Sequence, residues 1–150
     1  MTPTPADVEA YLYRHIPLSE AMRLRVREAG PDRVVLAAPL GPNVNHQSTM
    51  FGGSESAALI LSAWTLLHVR LGARGFRGRL VIQRNDVEYL APATGDALVT
   101  CDAPGPAAWA GFDALLDRRG RGRMSLAATL TCGDVVAAQF EGVYVAIREG

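Results

Sequence analysis

The stretch from Asn43 to Leu71, NVNHQSTMFGGSESAALILSAWTLLHVRL, decides the fold of this chain. It passes from a polar loop directly into a segment that is apolar nearly all the way round. From Ala57 to Leu71 the only polar residues are Ser62, Thr65, His68 and Arg70. A helix without a polar face must be covered on most sides, so the sequence predicts a central, buried helix. We expect it to be too short and too interrupted to cross a membrane, which needs ~20 apolar residues.

The glycine pair Gly52-Gly53 marks the point where this helix is predicted to begin. Because glycine has no side chain, it lets other groups approach the backbone closely. The first turn of a helix carries N–H groups without intrahelical partners and a partial positive charge, which together can hold a developing oxyanion. We therefore expect any chemistry of this protein at the start of the central helix.

Strand patterns flank the central helix on both sides. Before it, Thr4-Pro5-Ala6-Asp7 opens a short amphipathic helix that ends near Ile16-Pro17, and two strands follow, Met22–Arg27 and Arg33–Leu40. After it, strands are predicted over Leu80–Leu90, Ala97–Cys101, Phe112–Arg118, Met124–Cys132 and Val135–Ile147. Hairpin turns are predicted at Arg119–Gly122 and Cys132–Asp134. This order predicts an α+β fold in one domain over residues 1–150, with an antiparallel sheet curled round one long helix.

Composition argues against several functional classes. The 150 residues carry 15 Lys+Arg and 15 Asp+Glu, and a net charge of zero argues against a nucleic-acid or anionic-membrane surface. All the cations are Arg, which excludes lysine nucleophiles and Schiff bases. Cys101 and Cys132 form no CxxC pattern, so we expect free thiols, no metal site and a cytoplasmic location. The amino terminus also lacks signal-peptide features.

The first turn of the central helix supplies the candidate catalytic groups. Glu55 either complements the helix dipole or acts as a general base that activates water beside the Gly53 amide. Ser54 invites comparison with a nucleophile elbow, but helix capping is the favoured interpretation. Asn45 and Thr49 lie just upstream, where they could orient the water or the carbonyl. For Asn43 and Asn45 a role in the turn is the slightly favoured interpretation.

A stripe of small or polar side chains follows Glu55 along the helix at helical spacing, and consists of Glu55, Ala58, Ser62 and Thr65. The remaining faces are crowded by large apolar residues. The favoured interpretation is that the stripe lets a neighbouring element pack closely. The alternative is that it lines a channel for a thin, extended ligand, with Ser62 in contact with that ligand.

Outside the central helix, the candidate site residues are two acids on a predicted strand and a cluster of arginines in a predicted turn. Asp86 and Glu88 share one face of the predicted strand Leu80–Leu90 if alternation holds, and solvent exposure is the default interpretation. Asp86 is nevertheless a candidate for a second acid at a shared site. Arg119 and Arg121 belong to a cluster that is typical of solvated turns, but arginine also suits bidentate phosphate contacts. A nucleotide tail could therefore dock there.

The sequence resembles the hotdog-fold thioesterases, in particular the YiiD C-terminal thioesterase family. The matching pieces are His15-Ile16-Pro17-Leu18-Ser19 with Met22, Asn43-x-Asn45, Thr49-x-Phe51-x-Gly53-Ser54, Trp64, Tyr89 with Pro92, and Phe140-Glu141-Gly142-x-Tyr144. The resemblance implies a long helix wrapped by an antiparallel sheet, and homodimers, or tetramers built from them, with active sites at the subunit interface. It also implies acyl-CoA or acyl-carrier-protein thioesters as substrates, so coenzyme A enters only as part of the substrate and no separate cofactor is expected.

The resemblance also suggests roles for individual residues. Better-understood hotdog thioesterases carry His-Gly-Gly at the helix start, where this chain has Phe51-Gly52-Gly53, and we expect this segment and Thr49 to contact the substrate. An acid commonly lies seven residues beyond the second glycine, where this chain has Ile60. Glu55, or Asp86 reaching across a dimer, must then act as the base.

Two other functions stay open at this point. Ile60 at the expected acid position favours a non-catalytic acyl-CoA or lipid-binding module that keeps the groove without the base. A hotdog dehydratase is a weaker alternative, because the histidine expected of that group is not evident near the helix start. Saturable acyl-CoA binding without release of a thiol would select the binding module over the thioesterase.

Overall fold

The computed structural model describes residues 2–150, in which a six-stranded sheet wraps round one long helix. The helices are α1 (Pro5–His15), α2 (Pro17–Ala21), α3 (Gly52–Ala73) and α4 (Pro106–Arg119). The strands are β1 (Arg25–Ala29), β2 (Arg33–Ala38), β3 (Gly78–Tyr89), β4 (Ala97–Asp102), β5 (Arg121–Cys132) and β6 (Val135–Arg148). Their order across the sheet is β1-β2-β4-β5-β6-β3, and neighbouring strands are antiparallel. The predicted α+β fold is confirmed.

The central helix predicted from the sequence is α3. Three of its large side chains, Leu59, Leu66 and Leu67, are fully buried. The hydroxyl of Tyr144 in β6 donates a hydrogen bond to the carbonyl of Ile60 at 2.6 Å and so ties the middle of α3 to the sheet. With 22 residues α3 is long enough to cross a membrane, so the expectation based on its length is wrong. α3 is a core helix because the sheet covers most of its surface.

One side of α3 is left partly uncovered by the sheet. The residues on this side follow one another at helical spacing, and we call them the open stripe: Gly53, Ala57, Ile60, Trp64 and His68. At its far end the rings of Trp64 and His68 stack against Tyr11 of α1. Gly53, at the start of α3, is the exposed member of the open stripe, and the other four are partly buried.

The segment that follows β4 differs from the prediction. The predicted strand Phe112–Arg118 is wrong, because the segment is the helix α4, with Pro106 in its first turn and Gly120 as a left-handed C-cap at φ 68°. Trp109, Phe112 and Leu116 recur at helical spacing and bury one face of it. The predicted hairpin turn at Arg119–Gly122 is consequently also wrong, since this segment joins α4 directly to β5.

Part-way along the strand β3, the alternation of residues between the two faces of the sheet shifts by one position. Its pairing with β6 is irregular between Ile82 and Arg84, which indicates a β-bulge. Ile82 lies opposite the buried Tyr144 before the bulge, and Val87 lies opposite the buried Phe140 after it. Because paired residues share a face of the sheet, Ile82 and Val87 both face α3, although strict alternation would place residues an odd number of positions apart on opposite faces.

Candidate active site

The loop before α3 is anchored by a buried asparagine. The side chain of Asn43 donates from Nδ2 to the carbonyls of Met22 at 2.9 Å and Pro39 at 2.8 Å. Its backbone carbonyl accepts the N–H of Phe51 at 2.8 Å, immediately before α3 begins. Asn43 therefore fixes the position of the first turn of α3 relative to the ends of α2 and β2.

The second asparagine of this loop serves a local turn. Asn45 accepts the backbone N–H groups of Gln47 and Thr49 with Oδ1, and it donates from Nδ2 to the hydroxyl of Thr49 at 2.9 Å. This geometry supports the interpretation of Asn45 as a turn residue. The polar atoms of Asn45 and Thr49 are engaged with each other and with the loop backbone.

The first turn of α3 has no side-chain cap. Phe51 is the N-cap residue, and no side chain among residues 2–150 caps this turn with a hydrogen bond, so the predicted capping role of Ser54 is wrong. The backbone N–H groups of an uncapped first turn are free for an anionic ligand atom. Gly53 in this turn is exposed, so the start of α3 is a candidate place to polarise a carbonyl.

Two exposed aromatic rings flank the glycine pair. A Cβ atom on Gly53 would lie 2.3 Å from Cε2 of Phe51, and one on Gly52 would lie 3.4 Å from Cε1 of Tyr89. The hydroxyl of Tyr89 donates to the carbonyl of Gly52 at 3.1 Å. Phe51 therefore covers one side of the turn, and Tyr89 connects the other side to the end of β3.

Glu55 is the buried acid of this turn. Its residue surface is only 5% exposed, and Oε1 has no hydrogen-bond partner among residues 2–150. Burial raises the pKa of Glu55 from its ordinary value of 4.5 to about 7. Since successive helical residues are turned by roughly 100°, its Cα–Cβ bond points away from the open stripe, and only its position in the first turn brings it near Gly53. A carboxyl with this pKa is suited to accept a proton near neutral pH.

The polar stripe that begins at Glu55 lies against the sheet. Ala58, Ser62 and Thr65 are fully buried. The hydroxyl of Ser62 donates to the carbonyl of Leu59 at 2.8 Å, inside the same helix. This arrangement supports the close-packing interpretation of the stripe.

Three predicted site residues lie away from the start of α3. Asp86 is exposed on the outer face of the sheet, opposite Glu141. Arg119 ends α4, whose Asp117 pairs with Arg74 just beyond α3. That end of α3 is roughly 28 Å from Glu55 at 1.5 Å per residue. One chain therefore does not bring Asp86, Arg119 or the neighbouring Arg121 together with Glu55, and any role for them there requires a second chain.

The sequence interpretation missed residues that the bulge in β3 turns toward α3. The inner face of the sheet carries Asn85, Val87 and Tyr89. Strict alternation from Leu80 and Ile82 would instead have placed Arg84 and Asp86 on that face. The odd spacing between the apolar residues Ile82 and Val87 was the sequence signal that could have indicated the bulge.

Both cysteines are free, and residues 2–150 contain no group of three His, Cys, Asp or Glu side chains that could hold a metal ion.

A family model described as "Putative thioesterase (yiiD_Cterm)" matches residues 5–148 of this chain. The chain belongs to this thioesterase family. The resemblance seen in the sequence motifs is thereby confirmed, and the match includes both the first turn of α3 and the whole of β3. The family description names the activity class and leaves the substrate open.

Solved structures similar to this thioesterase-family chain have the same fold. A protein of unknown function from Chlorobaculum tepidum superposes with a TM-score of 0.91 at 26% identity, covering 99% of both chains. A "putative thioesterase" from Shewanella oneidensis gives 0.85 at 26% identity, covering 95% of this chain and 96% of that one. A "probable thioesterase" from Pseudomonas aeruginosa gives 0.83 at 21% identity over 99% of both chains, a similarity that shows the fold alone.

Proposed function

We propose that this chain hydrolyses an acyl thioester, carried by coenzyme A or by an acyl-carrier protein, at the start of α3. The observation that carries the proposal is Glu55. This carboxyl is buried in an uncapped first helical turn, leaves one oxygen without a partner, and has a pKa raised to about 7. A cytoplasmic location remains part of the proposal.

The chemistry divides between the backbone and Glu55. The N–H of Gly53 donates to the thioester carbonyl oxygen and stabilises the negative charge that develops there. The Glu55 carboxylate takes a proton from a water molecule as its oxygen bonds to the carbonyl carbon. The tetrahedral intermediate then collapses, the carbon–sulfur bond breaks, and the thiolate leaves and takes up a proton. The products are a carboxylic acid and a free thiol.

A screen of acyl-CoA thioesters of increasing chain length, with detection of the released thiol, tests this proposal. We expect saturable thiol release with at least one chain-length class. Saturable binding without thiol release would instead identify a non-catalytic acyl-CoA-binding module. Ile60, an apolar residue on the open stripe, is the observation that favours this second function.

The two edges of the sheet support a homodimer formed through β3. At the β1 edge, Glu9 of α1 accepts the backbone N–H of Val26 at 3.0 Å and pairs with Arg25 at 3.2 Å. Among the described residues the long strand β3 pairs only with β6, so its other edge is free. An uncovered strand edge is a template for pairing with another chain.

The charges on β3 are self-complementary. Arg79 and Glu88 lie on the outer face at nearly equal distances from the middle of the strand, so antiparallel pairing of two copies sets each Arg79 against a Glu88. Arg79 and Arg121 both pair with Ile147 of β6. The same pairing therefore brings this arginine-rich end of one chain toward Tyr89 of the other.

Reversing one charge on β3 is expected to weaken the dimer, and reversing both is expected to restore it. Cross-strand ion pairs contribute roughly 0.2–1 kcal/mol each, and a two-fold dimer contains each pair twice. Arg79→Glu or Glu88→Arg should therefore raise the dimer Kd roughly 10-fold, as measured by sedimentation equilibrium.

The Arg118→Glu variant controls for the change in net charge, because Arg118 is exposed on α4. We expect it to dimerise like the unmodified protein. A double variant, R79E with E88R, that dimerises as weakly as either single variant would contradict this pairing.

A further inference from the structure

We propose that Asn85 binds the acyl carrier by accepting a hydrogen bond from the first amide N–H of its pantetheine arm. This assignment rests on the proposed thioester hydrolysis. It makes Asn85 a substrate-binding residue that recognises the group which coenzyme A and acyl-carrier proteins share.

The face on which Asn85 lies follows from its partner in β6. Asn85 pairs with Gly142, and a Cβ atom built on Gly142 would lie 2.4 Å from Cζ of Phe140 and 3.1 Å from Cε1 of Tyr144. These two buried rings therefore fold over Gly142 on the side of the sheet that faces α3. Paired residues share a face, so Asn85 lies on this side too.

The level of Asn85 along α3 follows from two hydrogen bonds. Trp64 donates from Nε1 to the carbonyl of Leu80 at 3.0 Å, and Tyr89 donates to the carbonyl of Gly52 at 3.1 Å. β3 thus runs antiparallel to α3, with Asn85 between these two points. Interpolation places Asn85 level with about Ala57, which is roughly 6 Å along the helix from Gly53.

The surroundings of Asn85 suit a polar contact with a bound arm. Asn85 is exposed although it lies on the inner face, because β3 is an edge strand of the sheet and the open stripe is partly uncovered. Ala57 and Ile60, the residues of the open stripe at about this level of α3, have apolar side chains. A side-chain amide at this place is therefore a specific partner for an amide that passes along the stripe.

The offset from Gly53 matches the chemistry of the carrier. When the reacting carbonyl is held at Gly53, the sulfur and two methylene groups separate it from the first amide of pantetheine. Asn85 is displaced by roughly 6 Å along the helix from Gly53, an offset that the sulfur, the two methylene groups and the hydrogen bond to the amide together can bridge. The same offset is too long for Asn85 to be a second donor at the carbonyl itself.

Two thioesters with the same acyl group test this assignment. One is an N-acetylcysteamine thioester, which keeps the first amide of pantetheine, and the other is an S-butyl thioester, which lacks it. We expect Asn85→Ala to raise KM for the amide-containing substrate about 3- to 10-fold with little change in kcat, because one neutral hydrogen bond is lost from binding. KM for the S-butyl thioester should be unchanged.

The matched control is Gln139→Ala, which removes an exposed amide from the outer face of β6. If Asn85→Ala raises KM equally for both thioesters, or for neither, the assignment is overturned while the proposed hydrolysis stays in place. If the unmodified protein releases no thiol, the same comparison is made on Kd with acyl-CoA, N-acetylcysteamine and S-butyl thioesters, and only the hydrolysis is overturned. Absence of both hydrolysis and binding would overturn both proposals.

Discussion

Replacing Glu55 with glutamine is expected to lower kcat for thioester hydrolysis by roughly 10²–10³-fold, because the substitution removes the base and keeps the shape of the side chain. The measurement is thiol release under saturating substrate, using the acyl-CoA that the screen identifies as the best substrate. Ser56→Ala, one residue further along α3 and partly exposed, is the matched control and should keep nearly full activity.

The pH dependence supplies a second readout for Glu55. Its pKa is raised to about 7, so the carboxyl is protonated and inactive as a base below this pH, and the rate should rise as pH increases through 7. Glu55→Gln should lose this rise. An unchanged rate in Glu55→Gln together with a loss in Asp86→Ala would contradict the assignment and place the base on the second acid, reached across the dimer.

The hydrolysis rate should rise with pH, whereas the stability of the fold should fall as pH rises. The unfolded chain loses the Glu55 proton near 4.5 and the folded chain only near 7, so the free energy of unfolding falls as pH rises between these values. The loss is on the order of 3 kcal/mol at most. Glu55→Gln should therefore melt at a higher temperature than the unmodified protein at pH 8, which distinguishes lost chemistry from lost folding.

The central helix and most strands could be predicted because their local patterns agree with their tertiary surroundings. α3 lacks a polar face, which only a buried position explains, and buried and exposed residues alternate along most of β5 before the turn at Gly133. α4 could not be predicted in the same way. Its apolar face is narrow, and the short apolar run around Phe112 is as compatible with a strand as with a helix.

The candidate site was predictable only where it depends on local sequence. The placement of the glycine pair and Glu55 in the first turn of α3 was predictable, because the start of the helix follows from the long apolar run after them. The bulge near Ile82 is a property of the pairing between β3 and β6, and it turns Asn85 rather than Asp86 toward α3. Arg121 lies far from Glu55 within one chain, so any contribution from it would depend on an interface that a single sequence does not display.

The substitution Gly142→Ala is expected to destabilise the fold by about 1–3 kcal/mol, because the added methyl group overpacks the core. Its Cβ atom would lie 2.4 Å from Cζ of Phe140, a ring only 2% exposed that has no free space to enter. For a chain of this size the melting temperature should fall by roughly 3–10 °C, as measured by calorimetry.

Gly111→Ala is the control for glycine replacement as such. Gly111 is exposed inside α4 and nothing lies within 4 Å of an added Cβ, so this variant should gain about 0.4–1 kcal/mol. Adding Phe140→Leu to Gly142→Ala removes the atom that clashes, so the double variant should be more stable than the sum of the two single changes predicts. Additive losses would contradict the clash and would indicate that Gly142 is required for the backbone of β6 instead.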